Sequence, residues 1–299
     1  MEDFKYKDTV YFHIPALFRS YINTREPNVY TALMSANSEH ELRGDIKLVA
    51  YGCPANCTWN GGRLIQGYQY RIEDIDYMFS VYSSHLNIPL QLTFTNTLLE
   101  KRDIYDRFGN TLLDLANRYE DNVEILVASE LLEEHIRNRY PNLRIARSIV
   151  KWKQPKEEDT KKYSTIVVPK RFNKDKDYIK SLLNKGSTIE LLVDEPCNPR
   201  CERIKTHYKA FNKSQLFIEH DDCLVCTSKY PYLANEFRIY PHEINDYIDL
   251  GIRHFKLSGR EEMEHMITSI MEYLIPPERV PYMFATLIGL LFEPRREMI

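Results

Sequence analysis

Six cysteines fall as three close pairs: Cys53/Cys57, Cys197/Cys201 and Cys223/Cys226. The first pair is spaced C-x3-C, and the last four read C-x3-C followed, further along, by C-x2-C. Thiolates are soft donors, and four of them hold a tetrahedral zinc or an iron–sulfur cluster equally well, so spacing alone does not choose between the two. Zinc would make the late cysteines a staple for a long connection, and unliganded core cysteines are a third reading. Arg203, Lys205, Thr206 and His207 follow the second pair. Cationic and hydrogen-bonding groups there offset the charge of a thiolate-bound cluster, bind an anionic substrate, or only open a solvated helix.

Other residues with chemical potential stand at the ends of apolar runs. Arg63 follows Gly61-Gly62, where backbone approaches a ligand closely and a guanidinium forks onto a carboxylate, although a Gly-Gly pair also makes an ordinary turn. Asn96, Ser129, Ser148, Asp194, Glu195 and Arg260 occupy similar positions. Arg63, Asn96, Glu195 and Arg260 are the candidate catalytic residues. No phosphate-cradling glycine motif, no GxSxG elbow and no HExxH helix occurs, and His242-Glu243 lacks the second histidine. No nucleophile–base constellation is recognisable by spacing. The nine histidines are scattered, and one such as His13, inside an apolar run, reads as a satisfied core residue.

The elements that must position these residues follow from hydrophobic patterning. Eight short apolar, β-branched runs are predicted strands: Val10–Ile14, Ile46–Tyr51, Leu90–Thr95, Val123–Ala128, Leu143–Ile149, Ser164–Val168, Thr188–Val193 and His254–Ser258. Near-continuous runs such as IKLVAY and IELLV suit strands of a parallel sheet buried on both faces. Helical spacing recurs over Ile72–Leu86, Leu112–Tyr119, Leu131–Tyr140, Tyr178–Leu183 (ended by Gly186) and Met263–Leu274. The methionines of the last stripe read as core packing. Lys151–Lys162 reads as a solvated loop. Strands alternating with helices predict a single (β/α)8 barrel over residues 1–299, with the cysteine-bearing insertion 194–251 after the seventh strand. Active sites of such barrels lie at the C-terminal strand ends, so all six cysteines are expected on one face.

With 299 residues, 43% hydrophobic and 28% charged, the composition excludes disordered, collagen-like and coiled-coil classes. The 40 basic and 43 acidic residues leave a net charge of −3, which argues against wholesale wrapping of nucleic acid and leaves open recognition of one RNA site. The polar start MEDFKYKDT shows no secretory signal. The apolar stretch Val280–Phe292 is shorter than the roughly 20 residues a bilayer span needs. A cytoplasmic protein without a transmembrane segment is expected. The stretch 287–292 reads as a terminal helix docking on the barrel, in preference to a dimer or lipid contact.

Three stretches carry a family resemblance. They are Val49-Ala50-Tyr51-Gly52 with Cys57 and Arg63; Leu191 to Tyr208 with Cys197 and Cys201; and Phe237-Arg238-Ile239-Tyr240-Pro241-His242-Glu243 with the later Gly251 to Arg260. The pattern resembles the collagenase-like peptidase (U32-type) family, and within it the oxygen-independent ubiquinone-hydroxylation and prephenate-dependent RNA-hydroxylation branches. The resemblance implies a (β/α)8 barrel, a 4Fe–4S cluster and hydroxylase-like chemistry on an RNA base or a small aromatic or quinone-like substrate. Prephenate, as an anionic co-substrate, would suit Arg63 or Arg260. A partner subunit or homodimer is also implied by relatives that work in pairs. Cys197, Cys201, Cys223 and Cys226 are the first-choice ligands, with Cys57 replacing one of them as the alternative; the leftover cysteines would form a redox pair. The competing reading is a zinc-stapled barrel acting as a binding module or a hydrolase/peptidase-like protein.

Overall fold

A computed structural model of the chain describes residues 4–15, 17–18, 28–61, 70–151, 153–183, 185–197, 201–221, 236–259 and 263–292. Eight strands, β1 (Val10–Ile14), β2 (Ile46–Gly52), β3 (Leu90–Phe94), β4 (Val123–Val127), β5 (Arg144–Arg147), β6 (Thr165–Val168), β7 (Thr188–Leu192) and β8 (His254–Lys256), pair in chain order. Every pairing is parallel, and β8 closes onto β1 with Phe12 opposite Phe255. The predicted strands all form, within two residues at their ends. They form because large apolar side chains, most of them β-branched or aromatic, at alternate positions pack outward against helices, among them Phe12, Ile125, Ile166, Leu191 and Phe255.

The helices are α1 (Asn28–Ser38), α2 (Ile72–Ser80), α3 (Arg107–Arg118), α4 (Glu130–Arg139), α5 (Asp159–Lys162), α6 (Lys176–Leu182), α7 (Ile204–Gln215), α8 (Ile244–Leu250), α9 (Met263–Leu274) and α10 (Val280–Phe292). Side-chain caps set several starts: Asp106 accepts from the Gly109 amide, Ser129 from Leu132 and Asp175 from Tyr178. The helix expected through Leu86 is α2 continued by a π-helical turn, Val81–Leu86, which ends at Asn87 in the left-handed conformation. α6 stops at Leu182 with Leu183 extended, so Gly186, at φ +108°, serves the following turn and is not the helix cap. α10 packs on α1 and α9, and Leu287 is fully buried.

The charged stretch 151–162 differs from the solvated loop expected of it. It contains α5, and Lys151 turns inward to a buried carboxylate, Glu133, at 2.7 Å, which also meets Lys162 at 2.8 Å and the Tyr163 hydroxyl at 2.8 Å. Burial works against the charged Glu133 carboxylate, and these donors outweigh it, holding its pKa at about 2. No helix among the described residues is long and apolar enough to cross a membrane.

Candidate active site: a charged barrel interior beneath an open cleft

The strand residues that point into the barrel are chemically unlike those that face the helices. On one side Leu126, Ala146 and Val167 make a small apolar wall. On the other, polar groups form one hydrogen-bonded cluster. Lys256 donates to Glu190 Oε1 at 2.8 Å and to Gln91 Oε1 at 2.5 Å. Gln91 Nε2 donates in turn to Glu190 Oε2 (3.1 Å) and Glu124 Oε2 (3.0 Å). Ser164 and Thr165 hydroxyls donate to the other oxygen of Glu124, each at 2.7 Å. His13 Nδ1 lies 3.2 Å from Glu190, and its Nε2 lies 3.1 Å from His254 Nδ1. His13 is thus a partnered interior residue, as the sequence reading had it.

Burial sets the protonation states here. Desolvation pushes the His13 pKa down from 6.5 to about 3 and lowers that of His254 as well, so both rings are neutral at pH 7. Burial also disfavours the charged form of Glu190, but the Lys256 ammonium and the hydrogen bonds donated by Lys256 and Gln91 outweigh it and hold its pKa below the ordinary value. With His13 neutral, Lys256 is the cation that keeps Glu190 ionised. Between the ordinary histidine value and the folded one, the unfolded chain takes up a proton that the folded chain refuses. Stability therefore falls as pH drops from about 6.5, by about 1.4 kcal/mol per pH unit for one such histidine, and Glu190 adds to the loss below its ordinary value near 4.5. Urea denaturation across this range checks it: replacing His13 with Asn should flatten the slope between about pH 4 and 6.

Above this cluster, at the C-terminal strand ends, opens a cleft of about 590 Å³, open water included. Lys256 and Tyr51 reach it from below, with the ammonium 4.1 Å from the Tyr51 ring centre. Leu126, Val167, Leu192 and Tyr208 supply apolar surface, and Thr93, Ser148, Glu195 and Ser258 supply polar groups. Of the four candidate catalytic residues, Glu195 lines the cleft. Asn96 is fully buried and ties backbone together: its amide donates to Thr58 O (3.1 Å) and Asn212 O (3.3 Å), and its oxygen accepts from Leu98 N (2.9 Å). Arg63 and Arg260 lie outside the described residues.

Asn96 belongs to a junction that joins the cysteine-bearing connections. α7, carried by the insertion after β7, lies against the loops after β2 and β3. Gln215 donates to Ala55 O at 2.7 Å and Cys57 O at 2.8 Å, and Asn212 donates to Thr97 at 2.8 Å. Gly61 sits where the backbones touch, since a Cβ there would stand 2.5 Å from Asn96 N and 2.6 Å from Asn212 Oδ1. Gly61→Ala is accordingly expected to cost about 1–3 kcal/mol by overpacking, read by thermal denaturation.

The thiols divide. Cys53 and Cys57 are fully buried in the apolar core, whereas Cys197 and Cys201 are part-exposed. Among the described residues no three His, Cys, Asp or Glu side chains come together as a metal-binding group. Cys197 and Cys201 are the two described members of the four cysteines expected as ligands. Cys223 and Cys226 lie outside the described residues.

One feature escaped the sequence reading. Ser258 Oγ lies 2.6 Å from His265 Nε2, and Asp194 Oδ2 lies 3.5 Å from the same nitrogen. Spacing shows no nucleophile–base constellation, and the fold nonetheless places Ser258, past the end of β8, beside His265 in α9. A serine directly after a strand, with a histidine inside the next helix, is the signal that spacing rules passed over.

No family model and no curated protein matches the chain. Among solved structures it is similar to the U32 peptidase Mk0906, at TM-score 0.47 and 12% identity, covering 87% of this chain and 94% of that one. It is also similar to a glycerophosphodiester phosphodiesterase from Parabacteroides distasonis ATCC 8503, at TM-score 0.49 and 9% identity, covering 94% and 99% of the two chains. A third is a putative glycerophosphodiester phosphodiesterase from Galdieria sulphuraria, at TM-score 0.38 and 11% identity, covering 73% and 100%.

Proposed function

We propose that the chain is a U32-type barrel enzyme that holds a 4Fe–4S cluster at the rim of the cleft and carries out oxygen-independent hydroxylation of an aromatic ring, as an RNA base or a small quinone-like molecule. The observation that carries this reading is the docking of α7 onto the loop that holds Cys53 and Cys57. It brings two cysteine-bearing connections into contact. When bound, the cluster would supply electron transfer or activation of an oxygen donor. Cys197 and Cys201 would hold it, with Cys223 and Cys226 completing the set.

The chain's own residues have separate roles in this reading. Lys256 presents a cation to an anionic co-substrate such as prephenate, with its partner carboxylates below it and outside the cleft lining. Leu126, Val167, Leu192 and Tyr208 cover the ring of the acceptor and exclude water from it. Glu195 accepts a hydrogen bond from the acceptor's polar edge.

Anaerobic purification followed by iron and sulfide analysis tests the proposal. Iron and sulfide in equal amounts support it, and zinc without iron overturns it. Cys197→Ala is expected to lose the iron. Cys57→Ala is expected to retain it, because that thiol faces the core; iron lost from Cys57→Ala would move the ligand set to the β2 loop.

A further inference from the structure

We propose that Ser258 and His265 form a nucleophile and general base that give this cleft a second chemistry, independent of the cysteines: acyl transfer from small carboxylic esters. Ser258 follows β8 and keeps the inward parity of His254 and Lys256, so its hydroxyl lines the cleft. The next residue, Gly259, has φ +114°, and a Cβ on it would stand 2.8 Å from the Met266 backbone. That glycine lets the chain fold tightly back on α9. The fold-back brings His265, in the first turn of α9, to 2.6 Å from Ser258 Oγ.

Asp194 fixes the pair from below. It is fully buried, and its Oδ1 accepts from the Ser258 amide at 2.7 Å. Its Oδ2 is buried without a hydrogen-bond partner and lies 3.5 Å from His265 Nε2. With the ring proton on Nδ1, Nε2 accepts the Ser258 proton. The imidazolium so formed stands beside the Asp194 carboxylate, whose charge stabilises it, while the Nε2 proton stays directed at Oγ and the leaving group. The backbone oxygen of Asp194, 3.3 Å from Oγ, is the more distant of the two acceptors within reach of the hydroxyl.

The step balances with water as the only co-reactant. Oγ bonds to the ester carbonyl carbon as its proton passes to His265 Nε2. Collapse of the tetrahedral adduct breaks the bond to the leaving alkoxide, which takes the proton from Nε2. Water, deprotonated by the same nitrogen, then cleaves the acyl-serine and regenerates the hydroxyl. Lys256, two residues earlier on the same face and about 6–7 Å away along the strand, is a cation, among the described residues, on the side of the oxyanion.

The full-length protein is treated with a fluorophosphonate probe and the labelled peptide mapped, with iron measured on the same sample. Label on Ser258, a rate of labelling at least about 100-fold lower in His265→Gln, and p-nitrophenyl acetate hydrolysis lost in Ser258→Ala support the assignment. Absence of label on Ser258 in the folded wild-type chain overturns it, as does an undiminished labelling rate in His265→Gln. Wild-type mapping decides the matter even where Ser258→Ala does not fold. Label on Ser258 in an anaerobically purified sample that holds zinc and no iron would sink the cluster reading and leave this one standing.

Discussion

Glu190→Ala is expected to cost about 3–5 kcal/mol, a large part of the roughly 5–15 kcal/mol that a domain has in total. The reason is the cation it leaves behind. Glu190 is fully buried and meets Lys256, Gln91 and His13, and Lys256 is only 6% exposed. Alanine removes the carboxylate and leaves an ammonium inside the barrel with part of its compensation gone. Glu190→Gln keeps the shape and not the charge, so it should lose less through packing and still leave the cation unbalanced. Adding Lys256→Met to Glu190→Gln removes the orphaned charge, and the double variant should recover most of the lost stability. Urea denaturation with the three variants measures this. Equal loss in the single and double variants would mean that packing, and not charge, dominates. The double variant also separates folding from function: it should be stable and yet bind an anionic ligand weakly, because the cation at the cleft floor is gone.

The same residues show how far the sequence could be read. β3, β4 and β7 carry Gln91, Glu124 and Glu190 in otherwise largely apolar runs. Apolar character located the strands, and the alternation of the runs located the barrel. The polar interruptions mark the inward positions, which the reading of strands as apolar on both faces overlooked. Glu195 could be placed at the cleft because it lies just past β7, and strand ends are fixed by topology. Asn96 and Cys57 lie just as close to strand ends, but loop path decides whether a side chain meets the cleft or the packing beneath it. The Thr58 carbonyl and the contact with α7 hold both in the packing beneath. The Ser258–His265 contact was illegible for a related reason: it depends on a positive φ at Gly259 and on the angle at which α9 returns.

Trp59 and Gly109 should reverse the usual sign of a helix substitution. Gly109 lies in α3, where alanine ordinarily gains about 1 kcal/mol through backbone entropy. Here its Cβ would stand 2.7 Å from two ring atoms of Trp59 and 2.8 Å from a third. The ring cannot move aside cheaply. It is fully buried, its Nε1 donates to Asp103 O at 2.8 Å, and it meets Phe94 edge-on with ring centres 5.3 Å apart. Gly109→Ala alone should therefore destabilise by about 1–3 kcal/mol through overpacking. Trp59→Ala alone should cost about 3–5 kcal/mol, as removal of a large buried aromatic does. In the double variant the new methyl enters the space the indole leaves, and the helical gain returns, so Gly109→Ala becomes stabilising on that background. A double-mutant cycle by thermal denaturation would then show non-additivity of about 2–3 kcal/mol, and additive effects would mean that α3 and the β2 loop separate at little cost. The contact matters to the cleft because Trp59 O accepts from the Asn96 amide and Asn96 holds α7, so the indole supports the junction that gathers the cysteine-bearing connections.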